Sequence, residues 1–255
     1  MADGKVYKNT DGGDKIVINA EAPEVKEFLN SDEVLATKDD IEMFSYFFEE
    51  LEKTNEWISY YDEPTRKLRY KYEEGSPMVS CLLEAIVDAP MMHVLSLFCE
   101  IDLFKNWFPN VTSCDVIKEL SPSRGLYSCK QYMPWPMWPR DMTFVVSGLV
   151  DRKNKAILTV MKSASDDPEA RYFGSPIPKT ADGHVRLEIK RGYHYFQYID
   201  EKTTRYVEIF NTDPQLQYAP YWFMNYMMTK ICYQMMVLIQ DQAKMVPQTE
   251  YSERI

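Results

Sequence analysis

The chain has 255 residues, of which 45% are hydrophobic and 14% aromatic, and its formal net charge is −10. This length allows one large domain or one domain with an extension, and the apolar content supplies a sizeable core. The acidic balance argues against a nucleic-acid-binding protein, which needs a basic face, and it disfavours docking on anionic lipid.

The cysteines and the N-terminus bear on the compartment. None of the five cysteines is paired as CxxC, and all lie in apolar segments: Cys81, Cys99, Cys114, Cys129 and Cys232. This pattern predicts reduced thiols rather than a disulfide framework. The first residues lack the apolar stretch of a signal peptide, and no run reaches the roughly 18 apolar residues of a membrane span. We therefore predict a soluble intracellular protein in the cytoplasm, with association with an organelle left open.

The first 40 residues are polar and acidic, with only short apolar islands. They predict an extended or disordered arm that is available to a partner protein. A helix is predicted from Asp39, where Asp39 or Asp40 provides the cap. Apolar residues then recur near helical spacing from Met43 to Ile58 and predict a helix face that packs in the core.

The middle of the chain predicts a series of strands joined by turns. Alternating, β-prone runs lie at 67–73, 79–87, 111–120, 126–133, 142–150, 156–163, 184–191, 193–199 and 204–211. Two short helices are predicted between the second and third runs. Residues 220–244 then contain no helix breaker and predict a long apolar C-terminal helix, followed by a polar tail at 247–255. Strands joined by turns form an antiparallel sheet, against which that helix buries itself, so the predicted class is α+β.

The segment from Met133 to Asp141 contains three prolines and two tryptophans. Proline lacks a backbone donor, so the segment is neither a central strand nor a helix interior. We interpret it as a rigid connection between two strands, which forms either an apolar plug or the rim of a ligand site. The Arg140-Asp141 pair at its end is interpreted as a strand-start salt bridge or cap in preference to a head-group contact. The strand residues Arg186 and Lys190 are predicted to face water.

The sequence lacks the motifs of metal sites, phosphate-binding loops and hydrolases. The histidines His93, His184 and His194 lack metal-ligand spacing, and isolated histidines on strands are usually structural. There is no phosphate-binding glycine loop and no GxSxG motif. We predict no metal, no cofactor and no catalytic residues, and so a protein that is not an enzyme.

Several strings resemble a START domain, the lipid-binding helix-grip fold related to Bet v1. They are Val87-Asp88-Ala89-Pro90, Trp107-Phe108-Pro109-Asn110-Val111, Tyr132-Met133-Pro134-Trp135-Pro136, Pro139-Arg140-Asp141 and Gly183-His184-Val185-Arg186, followed by the closing helix. They occur in the family's order between about residues 65 and 245, and together they are specific. The resemblance implies a curved antiparallel sheet wrapped around the C-terminal helix, with an N-terminal helix. It predicts three regions: an arm at 1–40, a START-like lipid-binding domain at 41–246 and the tail at 247–255.

The resemblance further implies an apolar tunnel between sheet and C-terminal helix that holds one lipid of the phospholipid or sterol class. The candidate lining residues are Tyr127, Cys129, Met133, Phe144, Val146, Leu187, Phe196, Trp222, Tyr226 and Met235. Trp135, Trp138, Arg140 and Asp141 are candidates for its rim or for a structural motif, and the loop 164–182 is a candidate lid. Some sterol-binding members place a carboxylate and an arginine on adjacent tunnel strands, and the corresponding strands here offer no such pair.

Two functions follow as hypotheses. The first is an intracellular lipid-binding or lipid-transfer protein that contacts membrane surfaces transiently. The alternative is a START-fold subunit of a large assembly, in which residues 1–40 bind the partner proteins.

Overall fold

A computed structural model of the protein describes residues 5–7, 16–18, 22–23, 26–27, 30–74, 77–121, 123–165, 167, 169–216 and 219–254. The chain divides into two compact units, Met1–Met43 and Phe44–Ile255. In the first unit, strand β1 (Lys5–Tyr7) pairs antiparallel with β2 (Ile16–Ile18). The predicted division of the chain at residues 40 and 246 stays a prediction.

Helix α1 spans Asp32–Glu52, so the predicted start at Asp39 is wrong and residues 32–40 are helical rather than extended. Its predicted end is also wrong, because Ile58 begins strand β3 (Ile58–Glu63). Tyr60 and Tyr61 follow it in that strand. Branched and aromatic side chains favour a half-buried strand, and here this preference overrides the helical spacing.

Ten strands of the second unit form one sheet in the order β3-β4-β5-β14-β13-β9-β8-β7-β6, with β12 beside β8. The neighbours along this order pair antiparallel, whereas β12 pairs parallel with β8. The strands are β3 (Ile58–Glu63), β4 (Arg66–Tyr72), β5 (Val79–Val87), β6 (Val111–Ser121), β7 (Arg124–Gln131), β8 (Arg140–Asp151), β9 (Ala156–Ser163), β12 (Val185–Arg186), β13 (Glu188–Asp200) and β14 (Thr203–Asp213). A separate two-stranded ribbon pairs β10 (Arg171–Tyr172) with β11 (Ser175–Pro176). The predicted antiparallel sheet is confirmed.

Helices cover the two faces of this sheet. On one face, Phe47 of α1 packs against Tyr193 and Tyr195 of β13, with ring centroids 5.7 and 5.3 Å apart. The other face carries helix α2 (Met91–Cys99) and the long helix α3 (Tyr221–Met245). A 3-10 helix, Ile101–Asn106, follows α2 where a second short helix was predicted.

Helix α3 packs on the sheet through residues spaced three or four apart. Its buried side chains are Met224, Thr229, Cys232, Met236, Ile239 and Ala243. This is the spacing of one helix face, and the main core cluster joins it to strand β5. The predicted long C-terminal helix is therefore confirmed.

The proline-rich segment connects β7 to β8, and the Trp135–Pro136 bond in it is cis. Arg140 and Asp141 at its end do not pair with each other. The Arg140 guanidinium donates to the backbone carbonyls of Trp138 and Pro214. Asp141 accepts the Ala181 amide and contacts Arg186, with Nε and Oδ1 2.7 Å apart but without hydrogen-bond geometry. The prediction that Arg186 faces water is wrong, because its side chain lies next to the buried carboxylate of Asp141.

Candidate functional site

A cavity of about 730 Å³ lies on the face of the sheet that α2 and α3 cover. Helix α3 contributes Met228 and Met235 to its wall, and α2 contributes Phe98. The sheet supplies side chains from β5, β6, β7, β8, β9, β13 and β14. Most of the wall is apolar, and the volume lies within the range of small-molecule sites.

The structure brings together half of the ten predicted lining residues. Tyr127, Cys129, Phe144, Val146 and Met235 border the cavity. The first four alternate along the neighbouring strands β7 and β8, so their side chains share one face of the sheet, and Met235 faces them from α3.

The other five predicted lining residues lie elsewhere. Phe196 is fully buried in the main core and packs on Phe98, and Leu187 is buried in a second core cluster. Trp222 and Tyr226 are exposed at the beginning of α3. Met133 is half-buried in the proline-rich segment, outside the cavity wall.

The predicted rim residues do not border the cavity either. Trp135 and Trp138 are exposed, with 91% and 64% of their surface accessible. Arg140 and Asp141 are almost fully buried in the contacts described above. Among the described residues of the loop 164–182, none contributes to the cavity wall.

Sequence reasoning missed a polar cluster in the cavity, formed by His194 on β13 with Tyr206 and Glu208 on β14. His194 pairs directly across from Glu208 in the strand register. Tyr206 donates its hydroxyl proton to Glu208 Oε2 at 2.9 Å, and the Tyr206 hydroxyl oxygen lies 2.7 Å from His194 Nδ1. Because that oxygen already donates to Glu208, His194 Nδ1 carries the proton and donates to it. His194 Nε2 is then a bare acceptor.

Burial sets the protonation of this cluster. Desolvation lowers the pKa of His194 to about 3, so the ring is neutral. Desolvation also raises the pKa of Glu208 to about 7, although the hydrogen bond from Tyr206 acts in the opposite direction. Part of the Glu208 surface is accessible because it borders the cavity, but protein surrounds the rest of the side chain. The cavity thus contains a carboxyl group that titrates close to neutral pH.

The cavity therefore has polar groups on β13 and β14, which are not the strands on which a carboxylate and an arginine were looked for. His194 and Glu208 belong to a row across four strands that also includes Thr159 on β9 and Leu83 on β5, and all four border the cavity. The alternation of histidine and phenylalanine at 194 and 196 gives a signal in the sequence that the two side chains share a face. It does not show which residue of β14 stands opposite.

Cys114 and Cys129 stand opposite each other on β6 and β7 and form a disulfide, with their Cα atoms 4.1 Å apart. The prediction that all five cysteines are free is therefore wrong for this pair. Cys81, Cys99 and Cys232 are free. Cys99 borders the cavity and has accessible surface. Burial of its thiol nevertheless raises the pKa of this group to about 11.

A charged group also borders the cavity, beyond the end of α2. Arg254 donates to Glu100 at 2.7 Å and to both carboxylate oxygens of Asp102 at 2.8 and 3.0 Å. All three side chains are part of the cavity wall. The C-terminal residues are therefore bound to the segment that follows α2, and the adjacent Tyr251 is buried.

Within the described ranges, no group of three or more histidine, cysteine or acidic side chains has the arrangement of a metal site. Across the same residues, no helix is long and apolar enough to span a membrane.

No protein-family model matches the chain, and no curated protein matches it. Solved structures do resemble it. Human STARD10 has a TM-score of 0.69 at 16% identity, and the match covers 86% of this chain and 81% of that one. Human StAR-related lipid transfer protein 5 has a TM-score of 0.69 at 15% identity, over 82% of this chain and 97% of that one. A StAR-related lipid transfer protein from Xanthomonas axonopodis has a TM-score of 0.60 at 18% identity, over 74% and 99%.

These similarities establish the fold. The second unit of the chain has a START-like helix-grip fold, as the resemblance in the sequence predicted.

Proposed function

We propose that the protein binds one lipid in its cavity and carries it between membranes. The observation that supports this is the apolar cavity of about 730 Å³ between helix α3 and the sheet. The fold points the same way, because two of the similar structures are named lipid transfer proteins. We propose a binding protein and not an enzyme.

Lipid loading is tested by native mass spectrometry after incubation with mixed liposomes, followed by extraction and identification of the lipid. One lipid per chain is expected. Met235→Glu places a carboxylate without a partner in the cavity wall, so we expect loading to fall at least tenfold. Met245→Glu is the matched control, because Met245 lies on the same helix but is exposed. Normal loading of the Met235 variant would contradict the proposal.

Transfer requires contact with a membrane surface, and the beginning of α3 offers an apolar one. Tyr221, Trp222, Phe223 and Tyr226 are all exposed there. Aromatic side chains favour the boundary between lipid and water. The next residues along the same helix, Met228 and Ile231, border the cavity. We infer that this end of α3 contacts the bilayer when the lipid is exchanged.

A second role is proposed for residues 1–40, the N-terminal arm, which lie within the compact unit Met1–Met43. In this role they bind partner proteins in an assembly. The test is co-purification of the full chain and of a chain that lacks residues 1–40. Unchanged recovery of the partners with the shortened chain would show that the arm does not bind them.

We propose the cytoplasm, including organelle surfaces, as the location. Three free thiols agree with a reducing compartment, whereas the Cys114–Cys129 disulfide is unusual there. Counting the free thiols of this protein in intact cells therefore tests the location. Five free thiols would support a reducing compartment, and three would contradict it.

A further inference from the structure

His194 presents a nitrogen that no described residue of the protein satisfies. Its Nδ1 atom is bonded to Tyr206, whereas Nε2 is buried and has no hydrogen-bond partner in the described part of the chain. Only 6% of the His194 surface is accessible, and the residue borders the cavity. Phe98 covers the ring, with the ring centroids 4.6 Å apart. A buried polar atom without a partner is costly, so a ligand atom that bonds to it gains affinity.

We propose that the cavity takes an uncharged amphiphile whose hydroxyl group moves the Phe98 ring aside and hydrogen-bonds to His194 Nε2. This inference rests on the proposed lipid-binding function and identifies the polar end of the lipid. The ligand hydroxyl donates to Nε2, Nδ1 donates to Tyr206, and Tyr206 donates to Glu208. The ligand thereby completes a chain of hydrogen bonds that ends on the carboxyl group of Glu208, and such chains strengthen each member.

The charges around the cavity exclude a phosphate group as the polar end. Four carboxyl groups border it, from Glu100, Asp102, Glu119 and Glu208. Among the described lining residues the one lysine or arginine is Arg254, and it is already paired with Glu100 and Asp102. An anionic head group would meet negative charge here, whereas an uncharged hydroxyl group would not.

The size of the cavity favours a small lipid. At about 730 Å³ it lies within the roughly 300–1,000 Å³ of sites that enclose one small ligand. This favours a sterol or a single-chain alcohol over a phospholipid with two acyl chains.

The test uses probes that differ in one atom group. Cholesterol is compared with cholesteryl methyl ether, and 1-octadecanol with its methyl ether and with octadecyl phosphate. Each radiolabelled probe is presented in phosphatidylcholine vesicles at pH 8, above the pKa of Glu208, and protein-bound probe is counted after the vesicles are pelleted. The two alcohols distinguish a sterol from a linear lipid as the source of the hydroxyl.

We expect the better of the two alcohols to bind about 5- to 150-fold more tightly than its ether, because the ether leaves Nε2 without a partner. His194→Asn retains a polar atom near the Nδ1 position but removes the one at Nε2, and this preference should disappear. His194→Gln places a polar atom near Nε2 and should retain part of it. Circular dichroism checks that both variants fold. If a variant does not fold, the comparison of alcohol with ether on the unaltered protein still tests the proposal.

The outcomes separate this inference from the proposed function. Equal binding of alcohol and ether by the unaltered protein would overturn the role of His194 while lipid binding stands. Tighter binding of octadecyl phosphate than of octadecanol would overturn the choice of an uncharged ligand. If neither these probes nor phosphatidylcholine bind, the proposed lipid-binding function fails, and this inference fails with it.

Discussion

Replacing Glu208 by glutamine should make the stability of the protein depend on pH between 4.5 and 6.5. Burial lowers the pKa of His194 from 6.5 to about 3 and raises that of Glu208 from 4.5 to about 7. For His194, the unfolded chain binds the extra proton between pH 3 and 6.5, so stability rises with pH in that window. For Glu208, the folded chain binds the extra proton between pH 4.5 and 7, so stability falls as pH rises there.

The two effects cancel where the windows overlap. Between pH 4.5 and 6.5 the two groups change the unfolding free energy with opposite sign. Because each group is half titrated at one edge of this range, each contribution amounts to about 2 kcal/mol over the two pH units. Glu208→Gln removes one of them, so its stability relative to the unaltered protein should rise by about 2 kcal/mol from pH 4.5 to 6.5. Tyr206 and Cys232, which face Glu208, have raised pKa values and remain protonated throughout.

The assay is urea unfolding of both proteins at pH 4.5, 5.5 and 6.5, followed by circular dichroism. Differences between the two proteins cancel the titration of all other groups. His194→Gln is the matched control and should give the mirror image, with stability relative to the unaltered protein falling by about 2 kcal/mol over the same range. A constant difference for Glu208→Gln would show that Glu208 titrates as an ordinary carboxyl group and would refute the buried cluster.

Three further predictions concern Arg254, the exposed beginning of α3 and the cysteines. Arg254→Ala removes the ion pairs that bind the C-terminal residues to Asp102, so a fluorescent lipid should exchange several-fold faster in stopped flow; an unchanged rate would mean that lipid passes elsewhere. Trp222→Ala should weaken sedimentation with phosphatidylcholine vesicles about tenfold, and 0.5 M salt should change it little, because the contact is apolar and the chain is acidic. Alkylation in denaturant without reductant should modify three cysteines rather than five. In the native protein Cys99 should react slowly, because its pKa is raised to about 11, and it should react more slowly still when lipid is bound.

The sheet and the terminal helix could be predicted from the sequence because their signals are local. Strand β9 was predicted at its observed bounds, since alternation and a turn mark both ends. Helix α3 was predicted within one residue at each end, from Pro220 before it and Val246-Pro247 after it. The prediction of helix α1 was wrong at both ends. Its acidic first turns have the composition of a polar arm, and Ile58 continues the apolar spacing after the helix has ended.

The polar cluster could not be predicted, because it depends on strand register. The turn pairs Asp200 with Thr203, and a regular hairpin from there would place Ile209 opposite His194. A bulge between Tyr198 and Asp200 shifts the register by one residue and brings Glu208 opposite instead. A shift of one residue exchanges the two faces of a strand, so this bulge decides whether a carboxyl group or an isoleucine faces the cavity. The Cys114–Cys129 disulfide was missed for the same reason, since two cysteines 15 residues apart become neighbours only in one register of β6 and β7.

That register also determines the charge of the cluster. His194 and Glu208 lie on adjacent strands in the middle of the sheet, where desolvation disfavours the charged form of both. The histidine remains neutral, and the carboxyl group stays protonated up to about pH 7, so below that pH the cavity contains a polar pair with no net charge. An apolar cavity accepts such a pair at lower cost than an ion pair, because no charge has to be desolvated. The same property makes the cluster suited to an uncharged hydroxyl group, which can exchange hydrogen bonds with it without bringing a charge into the protein interior.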